Sequence, residues 1–376
     1  MPSPVAYLDH AATSPLRPEA LAAMLPFLSE HFGNPSGSHA ASRRARRAVD
    51  EARDTVARHM DRPSGEVVFT SGGTEACNLA VLGAHGAAGG DVLCSAFEHH
   101  AVLEACLACG GRLIRVGADG LVDLDALVEG LHPGVRLVSL MAVNNEVGTI
   151  QPFEQAVALV RELAPDALVH TDAVAAGAWI DLRLLCAQAD LVSLGAHKFG
   201  GPKGAGALLV GSGVKLRPVL YGGPQERGRR PGTHDVAAVV GMATALEVAV
   251  ARRAEEWRTV EALRRRLVDG LLDAVPGVHP TAAGAPRLPC SAHLRFEGVD
   301  QEELLVLLDD AGVYASAGSA CASGALDPSH VLLAMGFPAT EAREAVRFSL
   351  GWSTSVDEID LALSAVPKAI EQLRAG

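Results

Sequence analysis

A mainly parallel, doubly wound α/β domain joined to a smaller α+β domain is the architecture that the sequence predicts, on three observations. Between about residues 66 and 209, short apolar runs alternate with helix-like segments, the pattern of crossovers that feed a parallel sheet. Two of these runs, "VRLVSLMAV" and "ADLVSLGA", are nearly continuous in apolar residues, as strands covered on both faces must be. After about Arg253 the texture changes to a long charged helix, "ARRAEEWRTVEALRRRLVDGLLDAV", followed by the isolated strand candidates "SAHLRFEGV" and "VRFSLGW".

In chain order, the large domain is expected to place seven strands near 66–70, 91–95, 112–116, 137–142, 167–171, 191–194 and 207–210. Helices fill the gaps, notably 74–83, 101–109, 124–130 and 153–163. The junction near 251–256 reads as helix rather than flexible linker, so the division is taken as 13–255 for the large domain and 1–12 with 256–376 for the small one. With 376 residues, 49% of them hydrophobic, the chain is long enough to bury a core in each.

Composition also excludes classes of function. A net charge of -12 offers no basic surface to neutralise phosphates, so nucleic acid is not expected as a direct partner. The first residues lack a basic stretch followed by an apolar one. The longest apolar run, 236–250, contains Glu247 and is flanked by Asp235 and Arg252, too short and too charged to span a bilayer. A cytoplasmic protein without membrane attachment is therefore expected. Seven cysteines, an odd number scattered along the chain, read as reduced thiols. Only four lysines, Lys198, Lys203, Lys215 and Lys368, compete for any chemistry that needs an amine.

Four segments carry chemistry. Asp172 at the end of one predicted strand precedes Lys198, just past the next, by twenty-six positions. A crossover of that length returns both side chains to the same edge of a parallel sheet. An acid and an amine there suit pyridoxal phosphate, although the spacing equally fits an ordinary strand-end acid and an exposed lysine. In "FTSGGTEACNLAV" a strand runs through Ser71-Gly72-Gly73-Thr74 straight into a helix, an arrangement that presents unpaired N–H groups to a small phosphate or simply forms a capped turn. "FEHHAVLEACLACGG" gathers two histidines and two cysteines, but on a helix beginning near Ala101 they fall at opposite ends, so no metal is expected. Finally, Cys321 lies in "YASAGSACASGALDPSH", a run of small residues in which a thiol is unshielded and free to act as a nucleophile, or is there by chance.

Taken together, the motifs resemble those of the class V aminotransferase-like cysteine desulfurases, the group serving nitrogen fixation and iron–sulfur cluster assembly. The resemblance runs nearly end to end: "YLDHAATSP" (7–15), "FGNPSGSH" (32–39), "TSGGTE" (70–75), "EHHAVL" (98–103), "NNEVGTIQP" (144–152), "AHKFGGPKG" (196–204), "ERGRRPGT" (226–233) and "GSACASGALDPSHVLLAMG" (318–336). It implies the pyridoxal-phosphate-dependent aminotransferase-like fold of type I and a homodimer. By the same resemblance Lys198 would hold pyridoxal 5'-phosphate covalently, Asp172 would face its ring nitrogen and His99 would stack on the ring. Gly73, Thr74 and His197 would hold the phosphate, with Thr233 contributed by the partner subunit, and Asn145 would sit on the phenolate side. Lys198 or His99 would take the α-proton of L-cysteine, and Cys321 would carry the sulfur as a persulfide, releasing alanine and serving an acceptor such as an iron–sulfur scaffold protein.

Three positions depart from the family's pattern. Ala175 replaces a glutamine and Gly195 a serine or threonine, both cofactor contacts, and Trp352 stands where an arginine usually follows "FSLG" and binds the substrate carboxylate. An indole cannot replace a bidentate guanidinium. Arg347 is expected on the opposite strand face from position 352, so Asn34 is assigned the carboxylate, and slow turnover of free L-cysteine is expected. A selenocysteine lyase or specialised sulfur donor with a rebuilt substrate site, and a non-catalytic scaffold-binding homologue, are the alternative readings.

Overall fold

The computed structural model describes residues 5–318 and 328–375. After a short strand β1 (Ala6–Tyr7), seven strands build the central sheet: β2 (Val67–Thr70), β3 (Asp91–Ser95), β4 (Arg112–Ile114), β5 (Val135–Ser139), β6 (Leu168–Asp172), β7 (Leu191–Gly195) and β8 (Gly206–Val210). Their order across the sheet is β2-β8-β7-β6-β5-β3-β4. Only β8 runs against its neighbours β2 and β7, so the sheet is mainly parallel. Alternation along the strands divides two cores. Val68, Val92, Leu137, Leu191 and Leu208 belong to one cluster, while Val67, Phe69, Leu93, Val138, Val192 and Leu209 belong to the other. Apolar residues are thus needed at successive positions, which is why these strands read as unbroken apolar runs.

The helices up to the end of the large sheet are α1 (Pro18–Ser29), α2 (Ala40–Met60), α3 (Gly73–Ala88), α4 (His100–Ala108), α5 (Leu124–Gly130), α6 (Phe153–Leu163) and α7 (Leu182–Cys186). α3 and α4 pack together on one face of the sheet. A long helix, α8 (Val236–Ala274), follows, capped by the Asp235 carboxylate accepting from the Ala238 N–H at 2.9 Å. It runs unbroken through 251–256, packing against α1 and α2 in its course. None of the described helices is long and apolar enough to cross a membrane.

The remainder forms a three-stranded antiparallel sheet, β9 (Val278–Pro280), β10 (Ser291–Phe296) and β12 (Ala345–Ser349), with β10 central. β11 (Val313–Tyr314) pairs in parallel with β1, which brings the N-terminal segment onto this region. The helices here are α9 (Gln301–Asp310), α10 (His330–Ala334), α11 (Ala339–Ala342) and α12 (Val356–Ala375). The strand expected through "VRFSLGW" ends at Ser349, and Trp352 lies beyond it in a turn.

Candidate active site

Asp172 is the last residue of β6, and Lys198 ends a single 3-10 turn that follows the last residue of β7. Because β6 and β7 are adjacent and parallel, both side chains emerge at one edge of the sheet, where they line a cavity of about 340 Å³. Gly73, Thr74, His99, Asn145 and His197 line the same cavity. The Lys198 ammonium donates to the main-chain carbonyls of Ala11 and Ala12, the latter at 2.9 Å. Asp172 is 6% exposed, with Oδ1 accepting from the Val174 N–H at 2.9 Å, which fixes the carboxylate at the cavity floor.

Two histidines are kept neutral by their surroundings. His99 caps α4, its Nδ1 accepting from the Ala101 N–H at 3.1 Å, so the neutral ring carries its proton on Nε2. Burial lowers its pKa, with the Asp172 charge acting in the opposite sense. His197 is pulled down to about 4 by burial and then by the charges of Lys198 and Lys203. Beneath His99, Glu98 is fully buried and pushed well above the carboxylate range by desolvation and the Asp172 charge. Its Oε1 accepts from the Met141 N–H and the Ser95 hydroxyl.

The start of α3 is shaped to admit an anion. Gly72 has φ +151°, and a Cβ on Gly73 would lie 2.6 Å from Val174 Cγ2. The first N–H groups of the helix have no intrahelical acceptor and face the cavity edge. Glu75, the acid of this first turn, is neutralised by Arg230 at 2.8 Å and accepts from the Ser71 N–H at 2.7 Å. A Cβ on Gly195 would meet Val174 Cγ1 at 3.1 Å and the Gly73 nitrogen at 3.5 Å. The space beside the cradle is therefore narrow at that departure, while Ala175 lines the cavity with no polar group of its own.

Thr233 is exposed and outside the cavity of its own chain. Its loop is aimed by two successive residues with left-handed backbone, Glu226 (φ 49°) and Arg227 (φ 59°), a strain that must be offset locally. Glu226 supplies that anchor: its carboxylate accepts from both Arg53 Nη atoms, from His234 Nε2 and from the Phe69 N–H. Against the upward push of burial, the His234 and Arg53 hydrogen bonds hold Glu226 down at about 2.

At the opposite wall Arg347 and Asn34 stand, within this chain, otherwise than expected. Arg347, 2% exposed on β12, lines the cavity together with Lys198, whereas Trp352 does not. The alternation argument fails because position 352 is past the strand end, where side chains no longer alternate. Arg347 pairs with Asp9 at 2.8 Å and donates to the carbonyls of Asn145 and Gly318, and its Nε has no partner among the described residues. Asn34, assigned the carboxylate, is exposed, accepts from the Ser36 N–H at 2.9 Å and does not line the cavity. Trp352 instead stacks on Arg17, whose guanidinium carbon lies 4.9 Å from the ring centre.

The sequence argument set Arg347 aside and did not single out Glu146 and His330, which also stand on the cavity wall. One signal was available: a lone arginine inside the apolar run "AVRFSL" must find partners when buried. Cys321 lies outside the described residues; on either side of it, Gly318 packs at Glu146 and the Ser329 hydroxyl donates to the Glu146 carboxylate. The six described cysteines are free, and none lines this cavity. His99 and His100 stand at one end of α4 and Cys106 and Cys109 at the other.

A parallel-sheet edge with this lysine, acid and anion cradle suits a pyridoxal-phosphate enzyme, and the chain belongs to the class-V aminotransferase family, whose pattern matches residues 6–362. Within it the chain groups with the cysteine desulfurases. It is 40% identical to the cysteine desulfurase IscS of Dictyoglomus turgidum over 98% of this chain and 95% of that one. It is 42% identical to a cysteine desulfurase of Cereibacter sphaeroides over 98% and 96% respectively. The solved structure of a NifS-like protein superposes with a TM-score of 0.92 at 33% identity, covering 98% of this chain and all of that one. The family works with pyridoxal 5'-phosphate, and the cavity fits that group. It has an amine at one side, a buried carboxylate at the floor, a neutral imidazole at the wall, and a glycine cradle whose space a side chain would fill.

Proposed function

We propose that the chain converts L-cysteine to L-alanine and a persulfide on Cys321, acting in the cytosol as a homodimer. The sulfur then passes to an acceptor protein for iron–sulfur cluster assembly or thiolation. The observation that carries this reading is the convergence of Lys198, Asp172, His99 and Arg347 on one cavity. When bound, the cofactor supplies an electron sink for charge developing at the substrate's α-carbon. Lys198 would be its covalent anchor and, with Nζ free, the base that takes the substrate's α-proton; His99 would cover the ring and is the other candidate base. Asp172 would face the ring nitrogen and keep it protonated. Gly73, Thr74 and His197 would hold the phosphate, and Asn145 would serve the phenolate side, where Ala175 adds no donor.

Arg347 grips the substrate carboxylate in place of Asn34, its rigid fork prepositioned by Asp9 and two main-chain carbonyls. The thiolate of Cys321 attacks the substrate sulfur. An S–S bond forms and the substrate's Cβ–S bond breaks with its electron pair left on carbon; the β-carbon takes one proton and the α-carbon regains the one it gave up, which gives alanine. Support for the second copy comes from Leu21, Leu25 and Leu28, an exposed stripe at helical spacing on α1, with exposed Phe32 beyond it. Thr233, exposed in its own chain, is assigned to the partner's phosphate.

The test is to incubate the pure holoenzyme with L-cysteine, measure alanine and sulfide, and look for a persulfide on Cys321 by mass spectrometry. Alanine matched by persulfide sulfur is expected. Turnover of L-selenocysteine alone, or alanine formation undiminished in Cys321→Ser, would replace this reading. Sedimentation of a fully active monomer would remove the second copy.

A further inference from the structure

We propose that Arg17 and Trp352 are positioning residues for Lys198, stacked as a latch that ties the lysine turn to α8 and to the end of β12. The proposal rests on Lys198 being the cofactor lysine. Four successive carbonyls of that turn are all engaged by residues 14 to 17. The Ser14 N–H donates to the His197 carbonyl at 2.9 Å and the Ser14 hydroxyl to that of Lys198 at 3.3 Å. Arg17 Nε donates to the Phe199 carbonyl at 3.0 Å, and the Arg17 N–H to that of Gly200 at 2.8 Å. Gly200, with φ +85°, is moulded to the arginine stem: a Cβ there would lie 2.5 Å from Arg17 Cγ. Where Arg17 goes, the turn bearing Lys198 goes.

Arg17 is fully buried, so its position is set by its partners. Both terminal nitrogens donate to Glu256 of α8, each at 2.8 Å, so with the Phe199 bond all three guanidinium nitrogens are engaged in the plane. The face is left, and Trp352 covers it at 4.9 Å. The indole Nε1 has no partner among the described residues, so no hydrogen bond from its edge explains where the ring sits. Trp352 lines a small chamber of about 40 Å³ behind Lys198, not the larger cavity where Arg347 lies. An arginine at this position would set a second guanidinium against Arg17, whose partner Glu256 is already paired with it. The tryptophan is thus a fit to Arg17 rather than a lost substrate contact.

The experiment compares Trp352→Ala, Trp352→Phe, Trp352→Arg and Arg17→Lys as holoenzymes, with kcat and KM for L-cysteine, the pH titration of the cofactor's absorbance, and the melting temperature without cofactor. Trp352→Ala and Arg17→Lys should lower kcat about tenfold, the scale of one desolvated cation–π contact or a lost guanidinium fork, with KM within about twofold. Both should shift the absorbance titration, which reports the lysine's setting. Trp352→Phe should restore most of kcat and the titration, because its ring face remains, and Trp352→Arg should behave no better than alanine. A tenfold rise in KM at constant kcat in Trp352→Ala, or a gain in efficiency in Trp352→Arg, would make Trp352 a substrate residue and overturn the latch. So would no change in Trp352→Ala, or loss of melting temperature with an unshifted titration. If wild-type protein binds cofactor on Lys198 but does not use L-cysteine, the proposed reaction fails while the titration still decides the latch.

Discussion

The wall of the cavity that carries Lys198, Asp172 and Gly73 is built from strand ends and a helix start gathered at the edge of one sheet. The facing wall is centred on Arg347, which pairs with Asp9 across 338 positions of sequence and leans on the carbonyls of Asn145 and Gly318. The first wall is a product of topology: neighbouring parallel strands must end at the same edge. The second exists only once the N-terminal segment, the central sheet and β12 have met. A cofactor side placed by the order of strands and a substrate side made only by assembly differ in what a substitution does to them.

Lys198→Ala should have the largest effect, at least about a thousandfold on turnover, because no other lysine lines the cavity. Borohydride reduction followed by peptide mapping should find the cofactor on Lys198 in wild type and on no lysine in the variant; attachment at Lys203 would dissolve the distinction between the walls. Arg347→Gln comes next. A charged hydrogen bond contributes about 1.5–3 kcal/mol, so KM for L-cysteine should rise roughly ten- to a hundredfold while the absorbance of bound cofactor persists. If Arg347→Lys restored KM fully, a point charge rather than a fork would be the anchor.

Both regions share a vulnerability to acid that ranks third. His170, inside the central sheet, and His293, on β10, are fully buried and pulled down to about 3 by desolvation. In the unfolded chain they titrate near pH 6.5, so between there and the folded values the unfolded state binds more protons. Stability is therefore fully present above about pH 6.5 and is lost as pH falls, by roughly 2 kcal/mol for each at pH 5. Urea titrations of wild type and of His170→Gln and His293→Gln at pH 7 and pH 5 measure it, the glutamine variants being expected to lose less between the two. The smallest effect is expected from Asn34→Ala, with KM within about twofold, since the residue closes an exposed turn. A tenfold rise would show that a second copy carries Asn34 to its neighbour's cavity.

Much of this is legible in the sequence, for reasons that follow the same division. All seven strands of the large sheet stand where apolar runs bounded by turn residues put them, and the helices Leu124–Gly130 and Phe153–Leu163 match to the residue. Gly73, Thr74, His99, Asn145, Asp172, His197 and Lys198 meet in one cavity because strand ends and helix starts are local features. The facing of Arg347 and that of Trp352 both hang on a single assumed strand carried through "SLGW" to Trp352. The strand ends three positions earlier, at Ser349, which removes the alternation on which that assignment depends. The partners of Arg17, on α8 and in the turn that bears Lys198, lie some two hundred positions away and leave no local pattern.

The continuity of α8 has a consequence for how the molecule comes apart. A boundary drawn at 255/256 would cut this 39-residue helix in mid-course, immediately ahead of Glu256, the partner that Arg17 needs. Fragments made there would each expose a cut helix end, and the Arg17–Glu256 pair would be divided between them. Heating or denaturant should therefore dismantle the lysine turn and the three-stranded sheet in one cooperative event, and a protease should find its first cut in a surface loop rather than at the junction between the two regions.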